Sequence, residues 1–461
     1  MVINFSQGTP ATPLDEADIQ ELLEEGLNHH KNDRLDLAIA CYKRVLDSDP
    51  KNVDALYLTG GVYIMRENYL EAVMYLSRAL QAEPEFAPAF GLLGDAQKNL
   101  GDFVNAAINY QKALEIEPDN FDLWNQLGNA LRLGGDIAGA QEAYATKSNL
   151  KYRSGETALS DDVDFRFTSK TKLRHDIEQF GYLLAQKKID ARYEKTIEAY
   201  SKLLENFPVN PEDPHASPIP ESMRSSFAPT YNRHVYFRET PALEQPAVNP
   251  VLDHNAIEAD YAKNQPGITY LDDFLTPEAL QAIRAHALES MVWHEFLYPN
   301  GYLGAFMNEG FFCPLLNQIV EELPKALPNI FKDHKLINLW GYKYDSSMTG
   351  IERHADEAAV NVNFWITPDE ANEDPESGGL VIWDKEAPLD WDFEKFNADQ
   401  DAIQNFLETS KAKSIRVPHK QNRAVIFNSD LFHATDDIHF KDGYENRRIN
   451  VTLLYGWRHQ E

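Results

Sequence analysis

The chain has 461 residues, 43% of them hydrophobic, enough apolar material for roughly two to four packed domains. Its formal net charge of −30 excludes a nucleic-acid partner, since phosphate binding needs a basic face, and favours a basic polypeptide partner over an anionic membrane. Cys41 and Cys313 are the only cysteines, so no disulfide framework is expected. No apolar run approaches the ~18 residues of a membrane span, and Met1 to Pro13 lacks the basic start and apolar core of a secretory signal. These features predict a cytoplasmic protein.

The first third is periodic. Pro50, Pro84 and Pro118 lie 34 residues apart, and Gly26, Gly60, Gly94 and Gly128 keep the same spacing, as do Ala38, Ala72, Ala106 and Ala140. Four positions after each of those alanines stands Tyr42, Leu76, Tyr110 or Tyr144. Each unit therefore reads as two helices. Glycine allows close approach on the first, alanine and the bulky residue pack the second, and proline ends it. This pattern resembles the tetratricopeptide repeat (TPR) family over residues 16–150, and the regular array ends where Tyr152 replaces the next proline. The resemblance implies an all-α superhelix whose concave groove takes an extended peptide. Asn105, Asn109, Asn125 and Asn129 are the amides available to clamp a peptide backbone, with Asn129 the best placed.

Residues 151–210 read as a degenerate helical extension. Leu173 to Ala185 would form a first helix and Glu194 to Leu203, followed by Pro208, a second, while Ser154 to Thr171 is polar and loop-like. Residues 211–265 are rich in proline (Pro211, Pro214, Pro218, Pro220, Pro229, Pro241, Pro246), and Phe227, Tyr231, Tyr236 and Phe237 argue for an ordered strap, not free chain.

Residues 266–461 form the last domain. Gly267 to Leu275 reads as a strand, and Thr276-Pro277 opens a helix that runs to about Ser290. An irregular aromatic stretch (Phe296 to Phe312) precedes a helix from Pro314 to Leu323, closed by Pro324. Short strands follow: Leu336 to Tyr344, Val360 to Thr367, Gly379 to Trp383, Ser414 to Val417, Arg423 to Phe427 and Arg448 to Trp457, with a helical insertion at Asp401 to Ser410. This spacing predicts an antiparallel barrel or double-sheet jelly roll, making the whole chain multidomain α + β.

Within that domain, His354 and Asp356 project to one side of an extended segment. His433 follows the apolar strand Ala424 to Phe427, which would set it at the barrel mouth. Arg448, Asn450 and Thr452 alternate with Ile449, Val451 and Leu453, so one strand face is polar and needs a ligand to satisfy it. A guanidinium there suits bidentate pairing with a carboxylate. A register slip would substitute Arg447 for Arg448. Asn361, Asn363 and Trp365 face the same interior, whereas His334, His419 and His439 have no ligand-like spacing and read as surface or packing residues.

Tyr344, Gly350, Arg353-His354-Ala355-Asp356, Gly378-Gly379-Leu380, His433 and Arg448 together resemble the 2-oxoglutarate/Fe(II)-dependent dioxygenases, especially the prolyl-hydroxylase-like branch. The resemblance implies a double-stranded β-helix (jelly roll, cupin-like) with flanking helices. It also implies iron held by His354, Asp356 and His433, and the distal carboxylate of 2-oxoglutarate on Arg448. Tyr344 would line the co-substrate pocket and Asn363 would hydrogen-bond the co-substrate or serve as a structural amide. O2 is the oxidant and ascorbate a supporting reductant. The function so implied is hydroxylation of a protein or peptide, a prolyl residue first, recruited by the repeats. The alternatives are the same chemistry on a small or carrier-bound substrate, and a non-catalytic interaction scaffold.

Overall fold

A computed structural model of the chain describes residues 14–153, 155, 160, 162–208, 215–298, 301–346 and 350–458. It divides into two compact units, Met1–Ala143 and Tyr144–Glu461. Among the described residues no helix is long and apolar enough to cross a membrane.

The first unit is a series of helical hairpins: α1 (Glu16–Lys31) with α2 (Leu35–Ser48), α3 (Val53–Met65) with α4 (Tyr69–Ala82), and α5 (Ala87–Asn99) with α6 (Phe103–Ile116). Then come α7 (Phe121–Leu133) and α8 (Ile137–Lys151), the last crossing into the second unit. The 34-residue glycines have a steric cause. A Cβ on Gly26, Gly60 or Gly94 would lie 2.4, 2.6 or 2.7 Å from a side-chain atom of Tyr42, Leu76 or Tyr110. Each glycine is thus the slot that receives the bulky residue of the partner helix. Ala38, Ala72 and Ala106 are wholly buried beside those residues. The amides of Asn105 and Asn109, two of the four available to clamp a peptide, are engaged within the unit: Asn105 donates to Asp102 at 2.7 Å and Asn109 to Gln97 at 2.6 Å. Asn125 and Asn129 lie half-buried on α7.

The second unit begins with α9 (Val163–Arg166), β1 (Phe167–Thr168), α10 (Lys170–Ala185) and α11 (Glu194–Glu205). It continues through β2 (Ser217–Pro218), α12 (Arg224–Phe227) and α13 (His254–Lys263). Helices α10 and α11 fall where a helical pair was expected, within the second unit. They bury Leu173, Phe180, Leu183, Tyr200 and Leu203 with Phe227 and Tyr231 of the strap and with Met291. Lys172 donates to Asp176 at 2.9 Å and to the carbonyl of Trp293 at 3.0 Å, and the buried Lys343 donates to His175 at 3.2 Å. Extension and strap therefore belong to the same compact unit as the strands. Helices α12 and α13 lie within the proline-rich span 211–265, α9 and β1 replace part of the expected polar loop, and Pro211 and Pro214 lie outside the described residues.

The β-rich part comprises β3 (Ile268–Leu271), α14 (Pro277–Glu289), β4 (Leu303–Phe306), α15 (Pro314–Ala326), α16 (Pro328–Phe331), β5 (Leu336–Lys343) and β6 (Val360–Trp365). It ends with β7 (Leu380–Glu386), α17 (Phe393–Asn397), α18 (Gln400–Thr409), β8 (Ser414–Val417), β9 (Ala424–Asn428), β10 (Leu431–Thr435) and β11 (Ile449–Tyr455). A six-stranded antiparallel sheet has the order β3-β9-β6-β11-β5-β4, and a three-stranded one the order β10-β7-β8. One core of Ile268, Trp365, Val425 and Phe427 from the larger sheet and Leu380, Ile382, Val417 and Leu431 from the smaller joins them. Three details depart from the sequence reading. A strand, β4, lies in the aromatic stretch. Helix α15 runs through Pro324, because the carbonyl of Val320 that proline cannot serve accepts instead from the Tyr455 hydroxyl at 3.0 Å. Finally, after Ser429 and Asp430 the chain passes to the other sheet as β10, so His433 sits inside a strand and not beyond one.

Candidate metal centre

Strand β10 places His433, and the segment before β6 lies beside it. The amide of His354 donates to the carbonyl of His433 at 3.0 Å, and the reciprocal bond is 2.8 Å. Residues so paired present their side chains on one face, and the imidazole centroids are 4.2 Å apart. Two residues on, the amide of Asp356 donates to the carbonyl of Ser429, turning the carboxylate into the same space. His354 Nε2 lies 3.9 Å from Asp356 Oδ1, and His433 Nε2 3.4 Å from Asp356 Oδ2. One donor atom from each of the three falls within 4.8 Å of the others.

Second contacts determine which nitrogens face inward. His354 Nδ1 donates to the carbonyl of Glu352 at 2.8 Å and His433 Nδ1 to that of Leu431 at 3.0 Å. A carbonyl only accepts, so each Nδ1 carries a hydrogen, which leaves Nε2 as the atom of each ring that can offer a lone pair to a metal. Burial, with His433 adding to it, lowers the His354 pKa to about 4, so that ring is neutral near pH 7. Burial pushes the Asp356 carboxyl up, but His433, His354 and Asn361 outweigh it and hold the group below its usual range. Asn361 donates to Asp356 Oδ2 at 2.7 Å. The inner surface is a set of acceptors facing one another, which a cation would satisfy. Two imidazoles and one carboxylate suit a divalent transition metal with positions left open.

A polar row runs from this set along β6. Asn361, Asn363 and Trp365 alternate on one face, spanning about 13 Å at the usual strand rise. The Oδ1 atoms of Asn361 and Asn363 and the Nε1 of Trp365 are buried with no hydrogen-bond partner among the described residues. At the far end stands Arg448, 1% exposed, its guanidinium 4.7 Å from the Tyr344 ring centroid and 5.9 Å from that of Trp365. It donates to the carbonyls of Gly378 at 2.6 Å and Gly379 at 3.2 Å, and to Asn450 Oδ1 at 3.0 Å. A Cβ on Gly379 would fall 1.8 Å from the carbonyl oxygen of Val417, so only glycine brings that backbone under the guanidinium. Among the described residues no carboxylate lies within 4.0 Å of Arg448, and Asp436, which attracts it from further away, is paired with Arg416 at 3.0 Å. Arg448 is thus a buried cation without an anion. Burial lowers its pKa, and nearby Tyr344 counters this.

Arg447 turns the other way, donating to Glu178 at 2.7 Å, so the register puts Arg448 and not Arg447 on the interior face with Asn450 and Thr452. Tyr344 is buried, its hydroxyl 3.5 Å from Thr435 Oγ1. Asn363 donates to Thr452 at 2.9 Å, which leaves its carbonyl free toward the row. Sequence reasoning missed the roles of Asn361 and Trp365, though their alternation placed them correctly, and of the two readings it gave His419, surface or packing, the structure shows packing. That ring is fully buried against Trp365 and Phe440, with neither nitrogen hydrogen-bonded among the described residues, and burial with Arg448 nearby takes its pKa down to about 3. His334 is half-buried and His439 exposed.

Three models of the tetratricopeptide repeat family match the chain, over residues 23–88, 87–120 and 109–142. No curated protein matches it in sequence. Among solved structures, the first TPR of Spaghetti (RPAP3) bound to an HSP90 peptide is 26% identical over 26% of this chain and 94% of that one, with a TM-score of 0.25. A structure of MamA is 22% identical over 30% of this chain and 80% of that one (TM-score 0.29). MamA from Desulfovibrio magneticus RS-1 is 24% identical over 30% and 77% (TM-score 0.28). Residues 23–142 are therefore a run of tetratricopeptide repeats joined in one chain to a β-rich unit.

Proposed function

We propose that the β-rich unit is an Fe(II)- and 2-oxoglutarate-dependent dioxygenase with a double-stranded β-helix core. It hydroxylates a protein or peptide that the tetratricopeptide repeats recruit, with a prolyl residue as the first expectation. The observation that carries this reading is the pairing along one strand face. The acceptor-only trio of His354, Asp356 and His433 stands at one end, and the unpaired guanidinium of Arg448 at the other.

When bound, iron would supply the oxidative decarboxylation of 2-oxoglutarate to succinate and carbon dioxide, coupled to insertion of one oxygen atom into a C–H bond. The protein's own groups bind and position. His354, His433 and Asp356 hold the cation, their orientations fixed by Glu352, Leu431 and Asn361. Arg448 receives the distal carboxylate in the fork geometry that guanidinium offers, and Tyr344 covers it. The carbonyl of Asn363 and the indole N–H of Trp365 face the space between. Phe427, its ring 4.9 Å from that of His433, helps to keep water from the centre. The repeats form stacked hairpins of the kind that accept extended peptides, and the chain's net charge of −30 favours basic ones.

The reading is tested by incubating the full chain with Fe(II), ascorbate and a library of basic, proline-containing peptides. The expected product is a peptide heavier by about 16 Da, one added oxygen, formed only when 2-oxoglutarate is present. Succinate release with no peptide modified would leave the oxygenase and remove the peptide substrate. No succinate from the iron-loaded protein would remove both.

A further inference from the structure

A second group of metal-binding side chains lies in the first helical hairpin, apart from the site above. Glu25 and His29 are one turn apart on α1, Cys41 faces them from α2, and one donor atom of each lies within 4.8 Å of the other two. Glu25 Oε1 is 3.7 Å from His29 Nε2. The cluster grades from solvent to interior: the Glu25 side chain is 54% exposed, that of His29 17%, and Cys41 is buried as a free thiol. His29 Nδ1 is itself buried with no hydrogen-bond partner among the described residues.

One thiolate, one imidazole and one carboxylate form a borderline-soft donor set, the kind that holds zinc. Ligands at about 2.0 to 2.3 Å around a tetrahedral ion sit about 3.3 to 3.6 Å from one another. The Glu25–His29 separation of 3.7 Å is close to that range, and the two separations to Cys41, each at most 4.8 Å, close by small side-chain rotations of His29 and Cys41, with the exposed Glu25 following. We propose that this hairpin binds one Zn2+ ion through Glu25, His29 and Cys41, with water in the fourth position, clamping α1 to α2. The thiol gives up its proton on binding, so uptake of the ion releases acid.

The sulfur ligand provides a test that the other site cannot mimic. Titrating the full chain with Co2+ should produce a thiolate-to-cobalt charge-transfer absorption that saturates near one equivalent and is displaced by Zn2+. The band should vanish in Cys41→Ser and persist in His354→Ala, since the His354 centre contains no sulfur. Absence of the band in folded wild-type protein, or its survival in Cys41→Ser, overturns the proposal. Should Cys41→Ser fail to fold, Glu25→Gln decides at an exposed position: the Co2+ concentration that half-saturates the thiolate band rises at least tenfold, and an unchanged value refutes the site.

Discussion

Arg448→Gln removes the unpaired charge while keeping a side chain able to donate to the carbonyls of Gly378 and Gly379. In the wild type these carbonyls and Asn450 take three of the guanidinium's donors, and no carboxylate among the described residues neutralises it. A bound dicarboxylate would therefore meet a desolvated, preorganised cation. Hydrogen bonds to a charged group contribute about 1.5–3 kcal/mol and neutral ones about 0.5–1.5. With its two amide hydrogens on those carbonyls, Gln loses at least one charge-assisted bond to the carboxylate, which costs about 1.5–3 kcal/mol, roughly a 10- to 150-fold loss of affinity. Calorimetric titration of Mn2+-loaded protein with 2-oxoglutarate measures it. 2-Oxopentanoate, which lacks the distal carboxylate, completes a double-mutant cycle and should bind both proteins alike. Stability without ligand should change little, because a buried cation without an anion is itself unfavourable. Equal loss for both ligands, or 2-oxoglutarate affinity within threefold of wild type, would refute the assignment of Arg448 to the distal carboxylate.

Asn361→Ala removes the amide that holds Asp356 Oδ2, and metal affinity should fall about 10- to 100-fold by competition titration, as for other groups that orient a ligand. Gly94→Ala drives a methyl to 2.7 Å from the Tyr110 ring, whose hydroxyl is tied to Asp95 at 2.7 Å, so urea unfolding should show a loss of about 1–3 kcal/mol. His286 is fully buried, and burial takes its pKa to about 4 from an unfolded value of 6.5. Below pH 6.5 the unfolded chain takes up a proton that the native state refuses. Its contribution is thus complete above pH 6.5 and lost as pH falls toward about 4, amounting to about 3 kcal/mol. Denaturant midpoints between pH 7 and 4 should fall less steeply in His286→Gln.

The repeats were legible because several positions keep one phase, and the structure supplies the cause in the glycine slots opposite Tyr42, Leu76 and Tyr110. The alternation of Arg448, Asn450 and Thr452 likewise showed which face of β11 is polar. Strand β10 was hidden because it is only five residues long and follows β9 after the short turn at Ser429 and Asp430, so its residues read as the chain beyond a strand that ends at Phe427. The docking of α10 and α11 was hidden for a different reason. The apolar rhythm of a helix states that one face is buried and not against what, and here Leu173, Phe180 and Tyr200 meet the strap. His419 shows the same limit, since its burial depends on Trp365 and Phe440, which lie elsewhere in sequence. The meeting of His354 and Asp356 with His433 could not follow from spacing, because two backbone hydrogen bonds between distant segments create it.

The most direct test measures succinate from 2-oxoglutarate by the full-length protein, with Fe(II) and O2, in wild type and in His354→Ala. Iron- and oxygen-dependent succinate from the wild type, abolished in the variant, is the predicted result. No succinate from wild-type protein shown to hold iron, or equal amounts from both proteins, would contradict the account.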